Sequence, residues 1–392
     1  MLNRRLLRVK AMQSVYAYKQ CKESNYELVI DQIRKQFQEE LEYEGVMEKS
    51  RLEKEQEAVI KYFDHNFENA TREPVGEEFD GRMLKIGNEA LLQYQSLIVK
   101  DFENVKANML RETEKLYNKY LKFLQYVIDF ADIVQEQVEG KTTRVKDLTK
   151  EKALYDLIKG NAVVDVLRNN AELSSEIDAH KLKMADDLDQ VTDWYFLFKK
   201  DIEFFEKFES EEASFERDKN VVKYIVRDFI FKNEAVMSFF EEKDMNWVEN
   251  QKILRSMVLK TLKSIEEGSN EIEMLSLSRN WEEDKEFFEK LYNTTIRQEK
   301  DNEELIAHNS KKWSKDRIAK IDIIVINMAI TEMVNFPNIP VKVSINEYLE
   351  VAKMYSTPKS AVYINGLLDA ISVELQKEGK IRKSGRGLMD NK

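Results

Sequence analysis

Apolar residues recur at helical spacing along most of this chain, with few breakers between them. From Arg4 to Lys22, Leu7, Ala11, Val15 and Tyr18 fall on one stripe of a 3.6-residue period, which predicts a first helix. Residues 24–66 keep the same composition after a short break expected at Asn25-Tyr26-Glu27. Pro74, Gly76, Gly81 and Gly87 form the densest breaker cluster before the C-terminus and predict a loop over 70–88. Residues 89–138 read as one long helix or a helical hairpin ending near Gly140. Segments 150–169 and 174–210 are helical, parted around Gly160 and Asn169-Asn170. The aromatics of Asp193-Trp-Tyr-Phe-Leu-Phe suit a strand, but their charged flanks carry a helical pattern, so the stretch is assigned to helix.

The C-terminal third is patterned more sharply. A helix is expected from Asp284 to about Ile306, and Ile318, Ile321, Val325 and Met328 stripe the next one. Ser344-Ile-Asn-Glu347 has the spacing of a capping box, with Val343 and Tyr348 placed as a hydrophobic staple. Thr357-Pro358 reads as an N-cap followed by the first helical residue. Ala361, Ile364, Leu368, Ile371 and Leu375 then line one face, and Gly366 within that period predicts a close helix–helix contact.

Composition agrees with an all-α chain. Only 11 Gly and 4 Pro punctuate 392 residues, and 42% hydrophobic content is enough for real cores. Cys21 is the only cysteine, and His65, His180 and His308 are far apart, which argues against a disulfide framework, a zinc site or any cofactor. No apolar run is long enough to span a membrane, and the N-terminus lacks the pattern of a signal peptide. A cytoplasmic location is therefore expected.

The net charge is −11, but it is unevenly spread. Residues 1–22 carry six Lys or Arg and no acid, and residues 377–392 carry six against two acids. Basic ends on an acidic body would confine phosphate contact to one surface.

Three C-terminal blocks carry a family resemblance: Asp316-Arg-Ile-Ala-Lys-Ile-Asp-Ile-Ile-Val-Ile-Asn-Met-Ala-Ile-Thr-Glu-Met, Ile339-Pro-Val-Lys-Val-Ser-Ile-Asn-Glu-Tyr-Leu-Glu-Val-Ala-Lys, and Lys359-Ser-Ala-Val-Tyr-Ile-Asn-Gly-Leu-Leu-Asp. In order and spacing they resemble the C-terminal half of the NusB family of transcription antitermination factors. Asp284-Lys-Glu-Phe-Phe-Glu-Lys-Leu and the opening Arg4-Arg5…Arg8…Gln13…Val15-Tyr16 extend the likeness. It implies an all-α fold of NusB-like helical bundles with a large helical insertion. The first part of the core would lie at 1–40, the insertion at 41–270, the C-terminal bundle at 275–378, and a disordered basic tail at 379–392.

The resemblance also implies partners: boxA-like single-stranded RNA, the small-subunit ribosomal protein NusE, and the RNA polymerase antitermination complex. Carried over residue by residue, the RNA-binding set is Arg4, Arg5, Arg8, Tyr16, Lys359 and Tyr363. Guanidinium forks suit phosphate oxygens, and tyrosine rings give bases a face to stack on. The pattern departs from the family at Leu6, at Val362 and at Asn327, where basic residues are common. The losses at Leu6 and Val362 favour a second reading, a helical adaptor that kept the fold and lost RNA binding, which the basic ends oppose.

Blander roles are expected for other residues. Glu332, on a mostly apolar face, is expected to pair with a neighbouring helix end, and Trp247, Trp281 and Trp313 to anchor cores. The sequence contains no Gly-rich phosphate loop, Gly-x-Ser-x-Gly or His-Glu-x-x-His, which argues against an enzyme. A fused methyltransferase would need a glycine-bearing β-rich fold, and the insertion is glycine-poor and helical.

Overall fold

The computed structural model describes residues 2–43, 46–68, 79–139, 149–182, 187–310 and 319–391. Within them the chain forms sixteen α-helices and no strand, as the composition predicts. Pro74, Gly76, Gly140, Trp313 and Ile318 lie outside the described residues.

The first helix, α1, runs Arg4–Tyr43, straight through the break expected at Asn25. Asn25 is buried and donates to Asp101 Oδ2 at 2.7 Å, and the Tyr26 hydroxyl donates to Asp64. With their polar groups engaged by tertiary partners, neither side chain competes for the helix backbone. After α2 (Val46–Asn66), α3 runs Gly81–Glu139 as a single helix rather than a hairpin. It begins inside the loop expected at 70–88, because Asp80 caps it by accepting from the Met83 amide at 2.8 Å. Gly87 is a packing glycine there: a Cβ on it would lie 2.5 Å from the Tyr62 ring.

The chain divides into two compact units. One comprises Leu7–Leu110 and Glu282–Lys392, and the other Met1–Leu6 and Arg111–Trp281. Neither change of unit within the chain coincides with a boundary expected for the insertion. Residues 41–110 belong with the C-terminal helices, and the change of unit falls in the middle of α3. No breaker marks it, because a continuous helix can bury one stretch in each core.

In the Arg111–Trp281 unit, short helices pack on the second half of α3. They are α4 (Thr149–Ile158), α5 (Ala162–Asn169), α6 (Ala171–Ala179), α7 (Leu188–Phe198), α8 (Ile202–Phe208), α9 (Phe215–Tyr224), α10 (Glu234–Lys243) and α11 (Trp247–Ser264). The break at Gly160 is real, with φ of 70°, and Asn170 ends α5 and caps α6. The stretch 174–210 is three helices rather than one segment, and the aromatics of 193–198 lie in α7 as expected. The core is aromatic: Trp247 stacks on Phe240 with centroids 4.7 Å apart, and Phe123 stacks on Phe231 at 4.6 Å.

The other unit has two cores. One packs α1, α2 and the first half of α3 through Phe37, Tyr62, Phe63, Leu91 and Tyr94. The second gathers α12 (Trp281–Arg297), α13 (Glu299–Asn309), α14 (Lys320–Asn335), α15 (Val341–Tyr355) and α16 (Pro358–Lys377). The single helix expected over 284–306 breaks at Gln298. α14 is buried almost all round, from Ile324 to Met333, and not on one stripe. Thr357 caps α16 as predicted, accepting from the Ser360 amide at 3.1 Å.

Three local expectations fail. α15 starts at Val341 behind Pro340, so Ser344 lies inside the helix and cannot cap it, and Val343 is exposed rather than stapled. Gly366 faces open space, not a neighbouring helix. Residues 379–391, expected to be disordered, fold back. The Ser384 amide donates to Pro337 O at 3.0 Å, Lys383 Nζ donates to Phe336 O at 3.0 Å, and a 3-10 turn covers Gly385–Asn391.

Candidate nucleic-acid interface

Asn3 opens α1 by accepting from the Leu6 amide at 2.9 Å, which places Arg4 and Arg5 on the first helical turn. Arg5 is exposed and Arg4 partly so. Arg8, one turn further, turns inward beside Leu7, Ala11 and Met12, all buried. Its Nε and Nη2 donate to the two oxygens of Glu332, each at 2.8 Å, and the Arg8 side chain is only 4% exposed. It cannot offer its fork to a phosphate while that pair stands, which corrects its place in the expected RNA-binding set.

The pair is fully partnered. Ser344 Oγ donates to Glu332 Oε1 at 2.7 Å and the Tyr348 hydroxyl to Oε2 at 3.2 Å. The Arg8 guanidinium also lies over the Phe287 ring at 5.4 Å and reaches Glu347 at 3.6 Å. Burial by itself would lower the arginine pKa, but the charge and hydrogen bonds of Glu332 outweigh it and hold Arg8 above its ordinary value. Burial, then Glu332, drives the Tyr348 phenol well up. The carboxylate does meet a neighbouring helix near its start, but its main partner is the arginine. The sequence held the signal: Arg8 sits within the apolar stripe of its helix, and Glu332 shares its helix face with Val325, Met328 and Ala329.

Other N-terminal cations are also drawn into the protein. Lys10 is buried and Lys19 pairs with Glu299 and Glu303, whereas Lys22 reaches Glu299 at 3.6 Å and keeps 37% of its side chain exposed. Six basic residues in the first 22 thus yield a much smaller phosphate-facing surface than their count suggests.

Tyr16 remains available on α1, its side chain 39% exposed. Lys359 is exposed on the first turn of α16, and Tyr363 lies one turn on and is partly buried. Burial raises the Tyr363 phenol pKa, opposed by a hydrogen bond with Ser310. Val362, on the same surface, is 76% exposed. The third departure, Asn327, is fully buried and accepts from Asn302 Nδ2 at 2.6 Å, so it takes no part in any surface. Trp247 is a core residue as expected, whereas Trp281 is only partly buried and its indole donates to Glu114 at 3.2 Å. Among the described residues no cluster of His, Cys, Asp and Glu is arranged to hold a metal, and no helix is long and apolar enough to cross a membrane.

The NusB family model matches residues 252–373, which begins within α11 and ends within α16. The transcription antitermination protein NusB of Salinibacter ruber is 38% identical over 141 residues, 34% of this chain and 88% of that protein. The NusB of Chloroherpeton thalassium is 43% identical over 106 residues, covering 27% of this chain and 50% of the relative. That of Natranaerobius thermophilus is 44% identical over 75 residues, 19% and 54% respectively. No solved structure matches.

Proposed function

The chain belongs to the NusB family, and on that premise we propose that it is an enlarged transcription antitermination factor that binds a boxA-like single-stranded RNA together with NusE. The observation that carries this reading is its likeness across 88% of a relative named as an antitermination protein. In the mechanism we propose, the chain recruits and does no chemistry of its own. Arg4, Arg5 and Lys359 contact phosphates, Tyr16 and Tyr363 receive bases, and Arg8 holds α1 to α14 and α15 so that Tyr16 is correctly presented. A second face takes NusE, and the assembly acts on RNA polymerase.

The test is affinity for a boxA-like RNA, with and without NusE, as a function of salt. We expect Lys359→Ala and the double variant Arg4→Ala/Arg5→Ala to weaken binding and to flatten the salt dependence by about 0.7 for each phosphate left without its cation. Salt-independent or absent RNA binding would leave the adaptor reading in its place. That alternative is favoured by the withdrawal of Arg8 into the core and by the apolar Val362 left exposed next to Tyr363.

A further inference from the structure

Within the Arg111–Trp281 unit, two clefts meet along one side of α3. One has a volume of about 310 Å³, the other about 640 Å³, and both are lined by Lys115 and Asn118, which makes them a single groove. The α3 residues along it include Arg111, Lys115, Lys119 and Lys122. At a helical rise of about 1.5 Å per residue they form a cationic row roughly 16 Å long with a step of about 6 Å, close to the repeat of a single-stranded sugar–phosphate backbone.

The row is held in place by acids set behind it. Asp187, its side chain 5% exposed, takes Lys122 at 2.8 Å and Lys243 at 2.6 Å. Asp244, 7% exposed, takes Lys119 at 2.6 Å. Lys115 pairs with Glu112 at 2.6 Å, and in all four pairs the lysine is the more exposed partner, so the carboxylates fix the ammonium groups at the groove edge. Burial opposes ionisation of Asp187, but its hydrogen bonds to Lys122, Lys243 and Tyr126 prevail and bring its pKa down to about 2. Lining both clefts, five cations face three carboxylates, and with Glu112 paired to Lys115 the count is five against four, a small positive balance in a chain of net charge −11.

Partly exposed rings stand beside this row. Trp281, pinned by Glu114, and Tyr117 line the larger cleft. Phe239 lines the smaller one, with Lys243 Nζ 4.3 Å from its ring centre. Cations at a regular step together with accessible rings are the two requirements for holding a single strand without reading its sequence.

We propose that this groove binds single-stranded RNA, as a second site separate from Tyr16, Lys359 and Tyr363. The proposal deepens the RNA-binding reading above and rests on it: the insertion would grip RNA flanking the boxA-like element.

The test uses the full chain and two RNAs, a short boxA-like oligonucleotide and the same element extended by a run of uridines. We expect the wild-type protein to bind the extended RNA at least ten-fold more tightly. Arg111→Glu/Lys115→Glu should abolish that gain, leave short-RNA affinity unchanged, and flatten the salt slope for the extended RNA only. Trp281→Ala should lose part of the gain and Trp281→Phe restore it, with melting temperatures close to wild type. Equal affinity of the wild type for both RNAs, or a gain that survives the double charge reversal, overturns the groove proposal and leaves the proposed function standing. No binding of either RNA overturns both. Capture of an acidic peptide in the groove, uncompeted by the extended RNA, also overturns it and makes the groove a protein-docking site.

Discussion

Arg8, in the arginine-rich opening of the chain, makes a bidentate ion pair with Glu332, 324 positions later, in a helix with no exposed face. Both N···O distances are 2.8 Å, and Ser344 and Tyr348 use the remaining acceptor capacity of the carboxylate. An arginine that looks like a phosphate ligand is therefore a structural clamp.

Removing one partner should be costly and removing both much less so. Arg8→Ala or Glu332→Ala leaves a buried charge unpaired and should cost about 3–5 kcal/mol of folding stability. The double variant Arg8→Met/Glu332→Leu should recover most of that loss, because well-packed apolar replacements need no desolvation. Urea denaturation of the three variants measures it. A single variant with wild-type stability would mean the pair is not formed.

Two glycines in helices should respond oppositely to the same change. Gly87→Ala drives a methyl to 2.5 Å from the buried Tyr62 ring and should cost about 1–3 kcal/mol despite alanine's better helix propensity. Gly366→Ala meets nothing within 4 Å and should gain up to about 1 kcal/mol. Thermal melts of both variants check the signs.

Asp129 should give the protein a distinctive pH response. Burial raises its pKa to about 6, with a hydrogen bond from Gln125 opposing and the charges of Asp132 and Asp187 adding to the rise. A folded-state pKa above the unfolded value of about 4 means that the native state binds more protons between those limits, so this group's contribution falls as pH rises from about 4 to 6. Asp129→Asn removes that penalty. It should raise the melting temperature relative to wild type at pH 7 and have little effect at pH 4. A difference of the same size at both pH values would show that Asp129 is not perturbed.

Tyr363 should behave as a residue of two roles. Its ring is partly exposed, while burial of its hydroxyl end raises the phenol pKa. Tyr363→Phe should lose no RNA affinity, because stacking uses the ring and not the hydroxyl. If a base stacks on the ring, Tyr363→Ala should cost about 1–3 kcal/mol of RNA affinity. Its stability loss should stay below the 3–5 kcal/mol or so of a fully buried aromatic. A melt and an RNA titration on each variant separate the two roles. Unchanged RNA affinity in Tyr363→Ala would leave the ring a packing residue only.

What the sequence determined by itself is local. Helical period and scarce Gly and Pro were enough for an all-α chain, because a helix closes its hydrogen bonds within a few residues and needs only an apolar stripe to be recognised. The Thr357-Pro358 cap, the break at Gly160 and the buried face of α16 were legible for the same reason. The C-terminal blocks carried the family resemblance through residue order alone. Tertiary structure decided the rest, since each remaining question turned on a distant partner. Asn25 stays helical because Asp101 takes its amide, α15 begins early and leaves Ser344 to Glu332, and α3 changes units without a breaker. The surface proposed to face RNA was only partly legible. The cationic character of Arg8, Lys19 and Lys22 is written in the sequence, but whether a cation faces solvent depends on which carboxylate the fold brings to it. For Arg8 that carboxylate is Glu332, supplied from α14 in the C-terminal bundle.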